Sequence, residues 1–321
     1  MRQVFIFIFS VVLLPVYVHP VVSETIYPAT SVDMKLRQVS EHIYYVKGKA
    51  GIATDNEGFI SNAGFIVTND SVVVFDTLGT PSLGHDLLTK IRSVTNKPVT
   101  RVILSHYHAD HIYGLQVFKE LGAKIIAPKG AMVYLASPNA KERLEERRFS
   151  LEPWVNEKTE LVVPDQIIDK PMTFEQGGMR FRLDPIGAAH SDGDLTMYVE
   201  PDRVLFSGDI IFEGRVPYLG DANTKTWLET LKKMEVGKLA ALIPGHGPAA
   251  KNPTRAITAT RRYLEKIRNE MGKAVANLDE FAPAYDAVDW GEFKKLPAFK
   301  EANRRNAYQV YLSMEAELFE K

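Results

Sequence analysis

Thr100-Arg101-Val102-Ile103-Leu104-Ser105-His106-Tyr107-His108-Ala109-Asp110-His111 is the stretch that decides the fold. Its apolar centre predicts a buried strand, and three histidines and an aspartate follow within six residues. Because residues i and i+2 of an extended segment point the same way, His106 and His108 should aim their imidazoles at one point beyond the strand.

Asp110 and His111 follow where the chain should turn into a helix. The apolar face of that helix is supplied by Ile112, Leu115, Val117 and Leu121. The two pairs of polar residues leave the turn in different directions, so the site has room for two metal ions rather than one. Imidazole nitrogen and carboxylate oxygen are the ligands that zinc and other borderline divalent ions prefer.

Three further candidate ligands stand at the ends of predicted strands. His190 lies in a turn of small residues, Asp209 follows the strand Val204 to Ser207, and His246 is flanked by two glycines after the strand Leu239 to Pro244. A single histidine or aspartate after a strand is commonly a turn or cap residue. Together the three supply what the first cluster lacks, and they predict a metal site built from several strand ends.

The pattern of the remaining chain predicts a mixture of strands and helices in each half. Strands are expected at Gln38 to Lys47, Gly58 to Thr68 and Ser71 to Asp76, and helices at Pro81 to Ser93 and from Asp110 to Leu121. The second half repeats the mixture and ends in a predicted helix from about Asn303 to Phe319. This order predicts an α+β fold with helices outside the sheets.

Composition limits the function without defining it. The chain has 321 residues, a net charge of −1 and no cysteine. This excludes disulfides, thiolate ligands and a cysteine nucleophile. The arginines are scattered among acidic residues, which excludes the basic stripe that nucleic-acid binding requires.

The N-terminus resembles a secretory signal. Arg2 precedes an apolar run from Val4 to Leu14, and small and polar residues follow near Ser23. We therefore predict a signal peptide at residues 1–23, with an uncleaved anchor as the alternative. The mature protein is expected to be periplasmic or secreted, without stable membrane insertion after cleavage. Residues 24–276 are expected to form one domain, and residues 277–321 a C-terminal helical extension packed on it.

The order of these motifs resembles the metallo-β-lactamase superfamily of metallohydrolases. The resemblance covers roughly Gln38 to Ala276 and includes Asp76 after an earlier buried strand. It implies a four-layer αββα sandwich with the metals at one edge between the sheets. It also implies that one metal is bound by His106, His108 and His190, a second by Asp110, His111 and His246, with Asp209 bridging them and Asp76 orienting a ligand histidine.

Asp209 stands where many broad-spectrum β-lactamases of the superfamily have cysteine. In this respect the chain resembles the glyoxalase II and lactonase branches, while β-lactams stay among the candidate substrates. The expected activity is that of an exported binuclear zinc hydrolase acting on an ester, thioester, lactone or amide. Zinc lowers the pKa of a bound water to about 7, and Asp110 would position that nucleophile and carry its proton.

Substrate contacts are expected after the bridging aspartate, where Arg215 could pair with an anionic small molecule and Tyr218 could donate to an oxyanion. Asn62 and Tyr113 are further candidates. Two other functions remain open. One is a mononuclear-iron sulfur dioxygenase of the same fold, and the other is a non-catalytic accessory protein of a periplasmic redox or sulfur-oxidation system. The oligomeric state is left open.

Overall fold

The structure is a computed structural model that describes residues 27–234 and 239–319. Within these residues, twelve strands form two sheets. The first sheet contains Leu36–Gln38 (β1), Ile43–Val46 (β2), Ala63–Val67 (β3), Val72–Phe75 (β4), Val99–Ile103 (β5), Lys124–Pro128 (β6) and Gln166–Ile168 (β7). The second contains Met172–Gln176 (β8), Met179–Gly187 (β9), Asp194–Val199 (β10), Val204–Phe212 (β11) and Ala241–His246 (β12).

Helices cover the outer faces of both sheets. They are Pro81–Val94 (α1), Ala109–Ile112 (α2), Leu115–Glu120 (α3), Gly130–Ala136 (α4), Pro138–Ser150 (α5), Thr224–Lys233 (α6), Pro253–Ala276 (α7), Phe281–Ala287 (α8) and Phe299–Phe319 (α9). Short 3₁₀ helices occur at Ala53–Asn56 and Gly291–Lys295.

The first sheet has the order β1-β2-β3-β4-β5-β6-β7, antiparallel up to β4 and parallel from β4 onward. The second has the order β12-β11-β10-β9-β8, in which only the β11–β12 pair is parallel. Parallel strands carry their carboxyl ends to the same edge, so β4 and β5 deliver the residues that follow them to one place.

Side-chain alternation along β4 shows how the layers pack. Val72 and Val74 belong to the apolar cluster shared with the helices outside the first sheet, whereas Val73 and Phe75 belong to the cluster shared with the second sheet, where the Phe75 ring contacts Phe206. A third apolar cluster, which includes Trp227 and Leu264, lies between the second sheet and α6, α7 and α9. Three apolar layers between four layers of structure confirm the predicted αββα sandwich.

The strand predicted from Gln38 to Lys47 is divided, because β1 ends at Gln38 and β2 covers only Ile43–Val46. Three further predicted elements differ from the structure because contacts distant in sequence override the local pattern. The strand predicted from Gly58 begins only at Ala63, since the backbone N–H of Asn62 donates instead to Gly245 O at 2.7 Å. The predicted helix from Asp110 to Leu121 is interrupted at Gly114, where α1 approaches so closely that an added Cβ would lie 2.9 Å from Gly84 Cα.

The third of these further differences concerns β11, which continues past Ser207 to Phe212. Gly208 has a φ of 50°, and the pairing of β11 with β12 shifts register on either side of it. This bulge changes the direction in which the next side chain points. Asp209 therefore lies within the strand, whereas the sequence pattern predicts that it follows the strand.

The segment predicted as a C-terminal extension contains α8 and α9. Helix α9 packs along α7, and the buried Asn303 and Asn306 on α9 both bond to Tyr263 on α7. The predicted signal peptide lies outside the described residues. Within the described part of the chain, no helix is both long and apolar enough to cross a membrane.

Candidate metal centre

The structure brings together all seven predicted ligand residues. His106 and His108 follow β5, Asp110 and His111 lie in α2, and the others come from the second sheet: His190 from the β9–β10 loop, Asp209 from β11 and His246 from the end of β12. Three groups have ligand atoms within 4.8 Å of one another: His106, His108 and His190; His106, His111 and Asp209; Asp110, His111 and His246.

Asp209 occupies the middle of the cluster. Its Oδ2 lies 3.3 Å from His190 Nε2 and 3.2 Å from His246 Nε2, and its Oδ1 lies 3.3 Å from His111 Nε2. Asp209 therefore contacts His190 of the first ligand group and His111 and His246 of the third. A single carboxylate shared between two groups of nitrogen ligands is the arrangement expected of a bridge between two cations.

Buried polar atoms that make no hydrogen bond indicate whether a metal ion fits the cluster. Among the described residues, His106 Nε2, His111 Nε2 and Asp209 Oδ1 are buried and make no hydrogen bond of good geometry, although the last two atoms lie 3.3 Å apart. Leaving such an atom unsatisfied costs about 1–3 kcal/mol. Several in one place, on ligand-type side chains that face one another, fit a site built for divalent metal ions.

The outer nitrogens of three histidines are already occupied. His111 Nδ1 lies 2.9 Å from Asp76 Oδ2, His246 Nδ1 donates to Ile60 O at 2.7 Å, and His106 Nδ1 lies 2.9 Å from Ser105 Oγ. Each contact turns the other nitrogen, Nε2, towards the centre of the cluster. This fixes the ring orientation that a metal ligand needs.

Asp76 holds two of these rings at once. Its Oδ1 accepts from the Ser105 backbone N–H at 2.8 Å and its Oδ2 from Ser105 Oγ at 2.8 Å, so Ser105 links it to His106 as well as to His111. Ser105 was missed in the sequence because a serine before a histidine carries no signal of its own. Its role depends on β4 and β5 being neighbours.

Burial and neighbouring charges shift the pKa values of the ligand residues in opposite directions. Burial lowers the pKa of His190 to about 3 and that of His106 well below its usual value, so both rings are neutral. Burial opposes the charged form of His111 too, but the carboxylates of Asp110, Asp209 and Asp76 raise its pKa overall. Burial favours a protonated Asp209, yet the surrounding histidines hold its pKa well below the usual range.

A cavity of about 690 Å³ opens in front of the cluster. Its walls include ligand residues and side chains from five other segments: Ile52, Tyr134, Arg143, Arg147, Arg215, Tyr218, Asp221, Glu301 and Arg305. Arg215 Nη1 lies 3.3 Å from His246 Nδ1, which places this guanidinium beside the ligands. Both predicted substrate contacts, Arg215 and Tyr218, thus face the cavity.

The other candidates do not face it. Tyr113 is fully buried in the core, and Asn62 uses its amide to bond Pro244 O at 2.7 Å and Gly247 O at 2.8 Å. Asn62 thereby supports the end of β12, which carries His246, rather than contacting a substrate. His42 pairs with Asp202 at 3.1 Å, and the ring of His85 contacts Tyr27.

The sequence model of the metallo-beta-lactamase superfamily matches residues 56–246. The chain belongs to this superfamily. Among its relatives, a type 2 metallo-beta-lactamase of Elizabethkingia meningoseptica is 26% identical over 180 residues, which is 55% of this chain and 64% of that protein. The alkyl/aryl-sulfatase BDS1 of Saccharomyces cerevisiae is 28% identical over 200 residues, 53% of this chain and 29% of that protein.

Solved structures agree with the superfamily fold. The sec-alkylsulfatase Pisa1 from Pseudomonas sp. matches with a TM-score of 0.69 and 18% identity, over 87% of this chain and 50% of that one. The chain spans less than two thirds of either relative named above. Other relatives include a probable metallo-hydrolase of Bacillus subtilis, and this chain, as a member of the superfamily, has ligand-type clusters of its own.

Proposed function

We propose that the protein is an exported binuclear zinc hydrolase that acts on an ester, thioester, lactone or amide. The observation that carries this proposal is the position of Asp209, whose carboxylate lies within 3.3 Å of nitrogens from His111, His190 and His246. His106, His108 and His190 would hold one metal, and Asp110, His111 and His246 the other. The absence of any thiolate leaves only nitrogen and oxygen donors, a set that zinc accepts.

Bound zinc would supply Lewis acidity and lower the pKa of a coordinated water to about 7. Asp110 is placed to manage the proton of the attacking water. Its carboxylate lines the cavity and lies 3.2 Å from His246 Nε2, and its side chain is 21% exposed. The neighbouring His111 and His246 outweigh burial and hold the pKa of Asp110 well below its usual value, so it is an ionised acceptor.

The roles proposed for the cavity wall follow from its chemistry. Arg215 would pair with a negative charge on the substrate, because its guanidinium is half-buried and has no carboxylate within salt-bridge distance among the described residues. Tyr218 would donate its hydroxyl to the oxyanion that forms at the attacked carbonyl. The cavity, at about 690 Å³, has the size of a small-molecule site.

The test combines metal analysis with a substrate panel. Purified mature protein should contain two zinc ions per chain and hydrolyse at least one ester, thioester, lactone, β-lactam or sulfate ester. Sulfate esters belong in the panel because one relative is named an alkyl/aryl-sulfatase. His108→Ala and Asp209→Ala should abolish turnover, whereas His42→Ala, which changes a histidine paired outside the cluster, should not.

Two results would replace the proposal. One iron per chain, with oxygen uptake on a persulfide, would identify a sulfur dioxygenase. Bound zinc with no turnover across the whole panel would favour a non-catalytic accessory protein over a hydrolase.

Export is part of the proposal and rests on the sequence of residues 1–23. Mass spectrometry of protein from cell fractions should find a mature form beginning near Glu24 outside the cytoplasm. A full-length form in the membrane fraction would instead indicate an uncleaved anchor.

A further inference from the structure

Helix α9 forms one wall of the cavity in front of the seven ligand residues. Glu301, Ala302 and Arg305 on α9 line the same cavity as His108 and His246. The sequence predicted this segment only as an extension packed on the domain. Its position gives it direct access to a bound small molecule.

Asn306 joins α9 to the loop that carries Tyr218. Asn306 is fully buried; its Oδ1 accepts from Leu219 N–H at 3.0 Å, and its Nδ2 donates to Pro217 O at 2.7 Å. It therefore bonds to the residue on each side of Tyr218. Nδ2 also donates to the Tyr263 hydroxyl at 2.9 Å, which anchors the asparagine to α7.

Arg305 is a cation without an ionic partner at this wall. Arg143 and Arg147, across the cavity on α5, both lie near Glu146, at 3.1 and 3.5 Å. Among the described residues, Arg305 has no carboxylate within salt-bridge distance, and its guanidinium lies 5.5 Å from the centre of the Tyr218 ring. Arg304, the next residue on α9, pairs with Asp286 at 2.8 Å outside the cavity.

We propose that α9 is a substrate-recognition element for an anionic substrate. Arg305 binds a carboxylate at the end of the substrate away from the metal ligands, and Asn306 is a positioning residue that holds Tyr218 beside it. This proposal rests on the proposed hydrolytic function, because it assigns a substrate class to the same site. A guanidinium over an aromatic ring keeps its donors directed outward for a planar carboxylate.

The test of Arg305 measures binding, so that it does not depend on turnover. The zinc-loaded full chain is titrated calorimetrically with 5-oxo-5-phenylpentanoate, a ketone that cannot be hydrolysed, and with 1-phenylpentan-1-one, which lacks the carboxylate. The wild-type protein should bind the anionic ketone more tightly. Arg305→Ala should weaken that binding about fivefold and leave the neutral ketone unchanged.

Arg304→Ala is the matched control, because it removes the same charge from the adjacent position. It should keep the preference of the wild-type protein. Three results would each overturn the proposal. Arg305→Ala could keep the full preference for the anionic ketone, Arg305→Ala and Arg304→Ala could lose equal affinity for it, or the wild-type protein could show no preference. None of these results bears on whether zinc-dependent hydrolysis occurs, and failure of the substrate panel does not alter the binding comparison.

Asn306 is tested with Asn306→Ser, Asn306→Asp and the control Asn303→Ser. The control makes the same change in a buried asparagine of α9 that bonds to Tyr263 and Tyr285 but, among the described residues, not to the Tyr218 loop. Loss of the loop bonds should weaken binding of both ketones in the serine variant. The aspartate variant keeps an acceptor for Leu219 N–H, so its affinity for both ketones should lie between those of the wild-type protein and the serine variant. If the serine variant does not fold, the aspartate variant alone provides the test. Asn303→Ser should lower the melting temperature without changing either affinity. Wild-type affinities in the folded Asn306 variants would overturn the positioning role.

Discussion

Asp76 shows how much of a metal site can depend on a residue that does not face the metal. It is 1% exposed and has a φ of 58°, a left-handed conformation that aspartate and asparagine adopt more readily than most residues. From this position it contacts the Ser105 backbone and hydroxyl and the His111 ring. One carboxylate thus fixes the orientation of two histidines.

We expect Asp76→Asn to lower zinc affinity by about 10–100-fold, because mutation of such outer partners has this effect in other metal sites. Asparagine keeps the backbone conformation but loses the charge that supports His111. Competition with a chromogenic chelator measures the affinity.

Asp202→Asn is the control for this prediction, since Asp202 pairs with His42 in the same way outside the cluster. Its zinc affinity should equal that of the wild-type protein. A normal affinity in Asp76→Asn would show that Ser105 and the backbone alone can orient the rings.

Proton release on zinc binding should report the opposite charge states of the ligand histidines. His190, with its pKa lowered to about 3 by burial, is neutral throughout the physiological range and releases nothing. His111 and His246 have raised pKa values, because nearby carboxylates outweigh burial. They must lose protons, so apparent zinc affinity should fall as the pH drops from about 8 to 6.

Calorimetry in buffers of different ionisation enthalpy measures this proton release directly. The number of protons released per zinc should rise as the pH falls. His190→Asn should bind zinc more weakly at every pH but keep the same pH dependence. A release that disappears in this variant would contradict the assignment of the protons to His111 and His246.

At the scale of the element, the close contact between β11 and β12 sets the position of Asp209. A Cβ added to Gly245 would lie 1.8 Å from Asp209 Oδ1 and 2.8 Å from Gly208 C. Gly245→Ala should therefore displace the bridging carboxylate, reduce zinc content and lower activity by at least about tenfold. Metal analysis and turnover of the same preparation test both effects.

Gly272→Ala is the matched control within α7. Its Cβ would meet only the terminal methyl of Met314, at 2.8 Å, which can move. Replacing glycine by alanine inside a helix typically adds about 0.5–1 kcal/mol of stability. This variant should bind zinc normally. Full zinc content in Gly245→Ala would mean that the two strands can separate without disturbing the site.

Elements were predictable where local pattern and burial agree. The apolar runs located β4 and β5, and Pro81 marked the first turn of α1. Three of the errors occurred where distant segments meet: at Gly114 against α1, at the Gly208 bulge and at Asn62 against the end of β12. No local pattern records which segment will approach.

At the scale of the whole molecule, the ligand residues were predictable and the cavity was not. The ligands were identified by residue type and by motif order in the resemblance, both of which a sequence carries. The cavity wall combines segments near residues 52, 143, 218 and 305, whose meeting depends on how four layers pack. Consequently Arg305 and Asn306 emerged only from the structure.

The two halves of the site come from different sheets, so bound zinc should act as a cross-link through the whole fold. His106, His108, Asp110 and His111 follow β5 of the first sheet, while His190, Asp209 and His246 belong to the second. Each zinc site filled at 100 times its dissociation constant should raise the free energy of unfolding by about 2.7 kcal/mol. Thermal unfolding with a chelator and at increasing free zinc concentrations measures the effect.

Asp209→Asn should lose most of the zinc-dependent rise in melting temperature, because the bridge between the two groups loses its charge. Calcium serves as the ion control, since its preference for oxygen ligands disfavours a cluster of histidines, and it should produce no comparable rise. A melting temperature that is the same with chelator and with saturating zinc would show that zinc binds the folded chain no more tightly than the unfolded chain. The cross-linking role would then be wrong, even if zinc were bound and active.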